Sequence, residues 1–259
     1  MDLYQVKDLD WDTRLFEIKM GELKLDQEPG RFCFSETAWR KSFELAKRQN
    51  YHFLLCQVDT KYHDAATFIM DAGGIIGDTL LTLELTPLSP VNTANTSQFQ
   101  LDLAAEEDLP EIIAIAKKSF EYSRFFQDAH FDKAKTALFY PRWILESFGR
   151  NEKYYVLKEH HRVVGFISLQ ETPELQTLII RLIAISETER GRGLGQALIQ
   201  WTKNYALAHN CGRLQVGTQI NNYPAVRLYE KNGFRLQRGS YRFHIWLNDA
   251  LTAKIGIRY

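Results

Sequence analysis

The tightest constraint in this chain is a junction. Thr177 to Ile185, TLIIRLIAI, is almost wholly apolar and runs on into Arg190-Gly191-Arg192-Gly193-Leu194-Gly195 and then an amphipathic stretch. A segment apolar on both faces is expected of a central strand covered on two sides. The three glycines let the backbone turn tightly and aim several N–H groups at one point. A helix predicted from about Leu194 to His209 adds the positive end of its dipole, so the strand, turn and helix together make a seat for a pyrophosphate. Arg190 and Arg192 are expected to add charge-assisted bonds. The spacing Arg-x-x-Gly-x-Gly is not a dinucleotide fingerprint, which needs G-x-G-x-x-G with an acidic residue about 20 positions on, nor a P-loop, which needs GK[ST]. An isolated GxG would be read as a short turn.

The rest of the chain reads as two α/β halves. Glu84 to Gln98, ELTPLSPVNTANTSQ, breaks both periodicities with two prolines and a run of Ser, Thr and Asn, which predicts a junction between a domain over 1–90 and another over 98–259. The first half has a strand in Phe16 to Leu25, a helix over Glu36 to Arg48, the strand His52 to Val58, a helix near Ala65 to Asp71 and the strand IIGDTLLTLEL. That is a β-α-β-α-β order with no glycine-rich loop. The second half has a strand at Gln98 to Ala104, an amphipathic helix over Glu106 to Phe120 and a helix over Lys133 to Phe148. Strands are expected at Lys153 to Lys158, Val163 to Leu169, Thr177 to Ile185 and Arg213 to Thr218, with a helix over Pro224 to Lys231 and a final β pair within Phe234 to Leu247. His160-His161 reads as a hairpin turn. No repeated motif is evident, although the halves share a β-α-β style.

About 27 residues after the glycine turn lies Asn222-Tyr223-Pro224-Ala225-Val226-Arg227-Leu228-Tyr229-Glu230-Lys231-Asn232-Gly233-Phe234. Here Asn222, Ala225, Leu228, Tyr229, Gly233 and Phe234 fit N-x-x-A-x-x-L-Y-x-x-x-G-F. With the Arg190 to Gly195 turn, this segment closely resembles the motifs of the GCN5-related N-acetyltransferase (GNAT) superfamily. The resemblance implies an α+β fold with a central mixed, splayed sheet, preceded here by a smaller domain that is itself a partial unit of the same kind. It implies acetyl-CoA as co-substrate, its pantetheine arm on the backbone of Ile183, Ala184 and Ile185 and its pyrophosphate on the amides of Arg190, Gly191, Arg192, Gly193, Leu194 and Gly195. Asn222 would hold the pantetheine or order the loop, and Tyr229 would protonate the departing thiolate. Glu187 stands where many relatives have proline.

A narrower similarity, to the TDP-fucosamine acetyltransferases, rests on Leu9-Asp10-Trp11-Asp12 through Phe16, Ser123-Arg124-Phe125, Phe139-Tyr140, Trp143-Ile144, Thr218-Gln219, Tyr241 and Trp246. It implies transfer to the amine of a nucleotide-linked amino sugar used in surface glycan synthesis, with Arg124, Phe125, Tyr140 and Trp143 near the acceptor. A guanidinium for a diphosphate and aromatic faces for base and sugar suit that chemistry. The alternatives are a protein, peptide or other small amine as acceptor, or a CoA-binding module without catalysis. Glu187, Glu171, His130 and His244 are candidates for a general base by residue type alone.

Composition excludes other classes. The 32 acidic residues balance 32 basic ones, so no nucleic-acid partner is expected. Cys33, Cys56 and Cys211 are isolated, which points to free thiols and no metal site. With no signal-peptide pattern and no apolar run of about 18 residues, the chain is expected to be cytoplasmic and without a membrane span. A homodimer is an allowed assembly.

Overall fold

The computed structural model describes residues 3–25, 34–90, 100–120, 123–150 and 152–247. Cys33 and most of the predicted junction lie outside these residues. The element order is β1 (Gln5–Asp8), α1 (Asp10–Phe16), β2 (Met20–Lys24), α2 (Glu36–Arg48), β3 (Phe53–Asp59), α3 (His63–Asp71), β4 (Ile75–Leu85) and β5 (Gln100–Leu103). It continues with α4 (Leu109–Ser119), α5 (Arg124–Gln127), α6 (Lys133–Ala137), α7 (Phe139–Ser147), β6 (Lys153–Glu159), β7 (Arg162–Thr172) and β8 (Thr177–Ile185). Last come α8 (Leu194–Ala208), β9 (Arg213–Gln219), α9 (Tyr223–Lys231) and β10 (Arg235–Trp246).

Two compact units emerge, and they are not contiguous in sequence. One comprises Met1–Leu80, Ser123–Thr136 and Arg238–Tyr259, the other Leu81–Tyr122 and Ala137–Gln237. The expected division at residues 90–98 therefore does not follow the packing. Three sequence readings are corrected. The strand read from Phe16 to Leu25 begins only at Met20, because Phe16 closes a helix, Asp10–Phe16, that has two acidic residues in its first turn and is ended by Glu17 in the left-handed region. The helix predicted over Lys133 to Phe148 is two helices, because Pro141 lacks an N–H and is tolerated only in a first turn, so α7 starts afresh at Phe139. The final β pair is one strand, since β10 runs in register along β3 from Ser240↔Asp59 to Trp246↔Phe53 and Gly239 makes no turn.

In the first unit the strand order is β1-β2-β3-β10-β4, with β2 and β3 parallel and α2 as their crossover. Trp39, Phe43 and Ala46 of α2 join Leu54, Cys56 and Val58 of β3 in its core. In the second unit the order is β4-β9-β8-β7-β6-β5: an antiparallel meander from β5 to β8, then α8 as crossover to the parallel strand β9. His160 and His161 both have positive φ and form the turn between β6 and β7. Leu178 and Ile180 of β8 pack with Leu194, Leu198 and Leu214. Complete burial of such side chains stabilises by about 1.5–3 kcal/mol each.

The chain carries a repeat that no motif in the sequence announced. Phe53–Asp59, His63–Asp71 and Ile75–Leu85 recur as Arg213–Gln219, Tyr223–Lys231 and Arg235–Trp246, each element starting 160 residues after its counterpart. Capping bonds recur too. Gly73 and Gly233, both at φ 89°, donate to Met70 and Glu230, while Gly74 and Phe234 donate to Ile69 and Tyr229.

Candidate active site

The site is built where β8 and β9 part. Their parallel register runs from Thr177↔Arg213 to Ile180↔Val216 and stops, although β8 continues to Ile185 and β9 to Gln219. Beyond that point β8 pairs only with β7, through Leu182↔Ser168 to Ile185↔Gly165. The edge of β8 from Ile183 to Ile185 is left without a strand partner on the β9 side, a backbone edge suited to an extended ligand, with Arg190 beside the Ile185 carbonyl. The parting coincides with a bulge, because the β7 register shifts between Ser168 and Leu169 and leaves Arg181 as the extra residue on β8. The bulge re-phases the strand. Leu178 and Ile180 face the α8 core, whereas Leu182 and Ala184 join Ile112, Ile144 and Phe166 in the core beneath α4 and α7.

At the end of β8 the chain makes a single 3-10 turn at Glu187–Glu189 and then the glycine loop. Gly191 and Gly193 have φ of 81° and 80°, a region costly for any residue with a Cβ. A Cβ at either would meet nothing within 4 Å, so the requirement is conformational and the space beside the loop is open. Gly193 is the N-cap of α8 and has no side chain to cap it; the first α-helical bond is Ala197 N–H to Gly193 O. The preceding N–H groups, from Leu194 on, are therefore unpaired within the helix and point out of its positive end. Gly195 differs. A Cβ there would lie 3.3 Å from Leu228, so it allows α9 to approach the start of α8.

The arginines of the loop are already engaged. Arg190 donates to the Ile185 carbonyl (3.4 Å) and the Ser119 hydroxyl (3.2 Å). Arg192 makes a forked pair with Glu159 (2.9 and 2.7 Å) and a further pair with Glu189, and these bonds hold its pKa above the usual guanidinium range. Any anion approaching Arg192 must compete with two carboxylates.

Across the fork, Asn222 caps α9, its Oδ1 accepting from Ala225 N–H at 3.4 Å. Beside it the Asn221 Oδ1 is buried without a partner, a polar atom the sequence reading passed over. Tyr229 is 3% exposed and packs against Phe234 with ring centroids 5.5 Å apart. Burial pushes its hydroxyl pKa up, so it stays protonated and able to donate.

The residues expected near the acceptor divide between the units. Tyr140 and Trp143 lie on α7 in the second unit, half-buried, with Trp143 Nε1 donating to Glu152 at 2.9 Å. Arg124 and Phe125 belong to the first unit. Arg124 faces Asp12 at 3.8 Å. Phe125, expected to offer a ring face, is 1% exposed and packed among Phe16, Phe131 and His244. Its faces are taken by protein.

Of the candidate bases, Glu171 is tied to Lys153 (2.9 Å) and the Tyr205 hydroxyl (3.1 Å), bonds that lower its pKa. His244 is fully buried in the first unit with Nδ1 on Asp128 at 2.7 Å. His130 contacts the same carboxylate at 2.7 Å. Glu187 lies in the turn directly after β8. Among the described residues no group of three or more His, Cys, Asp or Glu could hold a metal ion, and no helix is long and apolar enough to cross a membrane.

The profile of the acetyltransferase (GNAT) family matches residues 110–234. Among characterised relatives, the spore coat polysaccharide biosynthesis protein SpsD of Bacillus subtilis is 28% identical over 149 residues, 57% of this chain and 51% of that protein. The chain thus spans about half the length of that relative. The dTDP-fucosamine acetyltransferase of Escherichia coli O6:H1 is 28% identical over 188 residues, 71% of this chain and 80% of that protein. Among solved structures, a functionally unknown conserved protein from Staphylococcus epidermidis superimposes with a TM-score of 0.64 at 15% identity, covering 90% of this chain and 87% of its own, a likeness of fold alone.

Proposed function

Residues 110–234 belong to the acetyltransferase (GNAT) family, and from that premise we propose that this chain moves an acetyl group from acetyl-CoA to the amine of a nucleotide-linked amino sugar, a TDP-4-amino-4,6-dideoxyhexose. The observation that carries the first part is the fork: β8 and β9 separate after Ile180↔Val216, and the glycine loop at Arg190 to Gly195 stands at the end of the strand whose edge is open. Pantetheine would extend β8 as an added strand along Ile183, Ala184 and Ile185, and the pyrophosphate would take the loop amides at the positive end of α8. The second part is supported by similarity to the dTDP-fucosamine acetyltransferase and the spore coat polysaccharide protein.

The chemistry is direct attack within a ternary complex. The neutral amine attacks the thioester carbonyl carbon and a C–N bond forms. The tetrahedral adduct collapses with loss of the C–S bond, the thiolate takes a proton from Tyr229, and the proton lost by the ammonium passes through solvent to restore the Tyr229 hydroxyl. A thiol of pKa about 8.5 is a fair leaving group, so the step needs no powerful acid and a phenol beside the sulfur can finish it. Holding both reactants in one cleft supplies much of the rate.

The acceptor is tested by offering equal concentrations of a TDP-linked 4-amino sugar, the free amino sugar, a peptide amine and a polyamine, and identifying the acetylated product by mass. The proposal expects the TDP conjugate to dominate. Preferential acetylation of the peptide or polyamine would move the substrate to another amine class.

A further inference from the structure

We infer that Arg181 is the group that grips a phosphate of the acceptor. Four observations within the second unit converge on it. Arg181 is the extra residue at the β8 bulge, one position beyond the last β8–β9 pair, so its side chain starts where the fork opens. Its guanidinium lies 5.1 Å from the centroid of Trp143, a cation–π stack that fixes the plane of the fork of donors. Its one ionic neighbour among the described residues is Glu152, with Nε 3.7 Å from Oε1, beyond hydrogen-bond length. That carboxylate is satisfied elsewhere: Oε1 accepts from Trp143 Nε1 (2.9 Å) and Oε2 from the Ser168 hydroxyl (2.8 Å).

The consequence is an asymmetry of need. Glu152, with its side chain 5% exposed, holds Arg181 and Trp143 in place while its own hydrogen bonds are met without the arginine. The Nη groups of Arg181, on a side chain 34% exposed, have no partner among the described residues. A guanidinium so placed offers two parallel N–H donors, the geometry that matches a phosphate or diphosphate edge. The loop arginines do not compete for this role, since Arg190 and Arg192 are engaged at the far end of β8. Arg181 thus favours acceptors that carry phosphate over the same amines without it. This rests on the acetyl-transfer reading of the same fork, which it deepens by naming what holds the acceptor.

The test uses the full chain with its CoA site saturated with CoA, so that added phosphate does not report on the glycine loop. Thymidine diphosphate, inorganic pyrophosphate and thymidine are titrated by calorimetry. Thymidine diphosphate should bind and pyrophosphate should displace it, while thymidine should bind at least about tenfold more weakly. Arg181→Ala should lower thymidine diphosphate affinity by about tenfold or more, with the CoA affinity of the same variant within twofold of wild type. Arg181→Lys, which keeps the charge beside Glu152 but not the fork, should recover only part of the loss.

Three outcomes overturn the inference: equal binding of thymidine and thymidine diphosphate, unchanged thymidine diphosphate affinity in a folded Arg181→Ala, or an equal fall in CoA affinity. Each would leave acetyl transfer to an amine standing. Failure of acetyl transfer itself would appear instead as absence of thiol release with every amine offered.

Discussion

Tyr229 and Gly193 carry the account at the scale of single residues. Tyr229→Phe keeps the ring and its contact with Phe234 while removing the one donor, so kcat should fall by about a hundredfold with the melting temperature nearly preserved. Stopped-flow detection of free thiol checks this, and a wild-type rate would leave Tyr229 as a core residue. At Gly193 two demands meet, a φ of 80° and open space on the ligand side. Gly193→Glu strains the backbone and puts a carboxylate where the pyrophosphate is proposed to sit, so CoA affinity should drop at least about tenfold by calorimetry, equivalent to about 1.4 kcal/mol. Unchanged affinity in a folded variant would remove the loop from the site. Both residues were legible in the sequence because their demands are local, a turn in one case and a place on an amphipathic helix in the other. Arg181 was not legible. Its exposure follows from a bulge in the β7–β8 register, and register is set by pairing between distant segments.

Among the elements, β10 and the short helices after Ser123 build a buried polar cluster with a pH signature. Asp128 is buried, which alone would raise its pKa, but bonds from His244, His130 and Trp246 outweigh this and hold the carboxyl well below its usual range. Its contribution to stability is present above the unfolded value of about 3.9 and is lost as pH falls below it. His244 shifts in the opposite sense for a base. Burial among Phe53, Phe125 and Phe131 lowers its pKa against the pull of Asp128, with Arg124 adding to the lowering and Asp78 opposing it. An unfolded histidine takes a proton near pH 6.5 and the folded one resists, so the unfolded state binds more protons and stability declines as pH drops below about 6.5. Urea midpoints measured from pH 7 to 5 should fall for the wild type and fall less for His244→Gln, which keeps a donor toward Asp128 and cannot titrate. Equal slopes would mean that His244 titrates alike in both states. The sequence brought out His130, His244 and Trp246 but neither Asp128 nor the cluster, since Asp128 and His244 are far apart in the chain and meet only in the folded first unit.

For the whole molecule, the main feature is the recurrence of strand, helix and strand about 160 residues apart. Position 229 in the second copy is Tyr and position 69 in the first is Ile; position 222 is Asn and position 62 is Tyr. The first copy keeps the scaffold and the glycine at its helix end but lacks the groups that suit CoA chemistry. Calorimetry should therefore find one CoA site per chain, and two equivalent sites would contradict this assignment. The α/β class and most strands of the second unit were legible because hydrophobic periodicity records burial. The division into units was not, because the chain passes between them at Leu81, Ser123, Ala137 and Arg238 without a linker composition to mark it.

The central claim is that acetyl-CoA held in the β8–β9 fork gives its acetyl group to an amine. One measurement addresses it directly: thiol released from acetyl-CoA and N-acetylated TDP-4-amino sugar formed, followed together for the wild type and for Gly193→Glu. The account predicts equal molar amounts of both products from the wild type and a loss of both in the variant. Binding of acetyl-CoA without thiol release, whatever amine is supplied, would contradict it and leave a CoA-binding module.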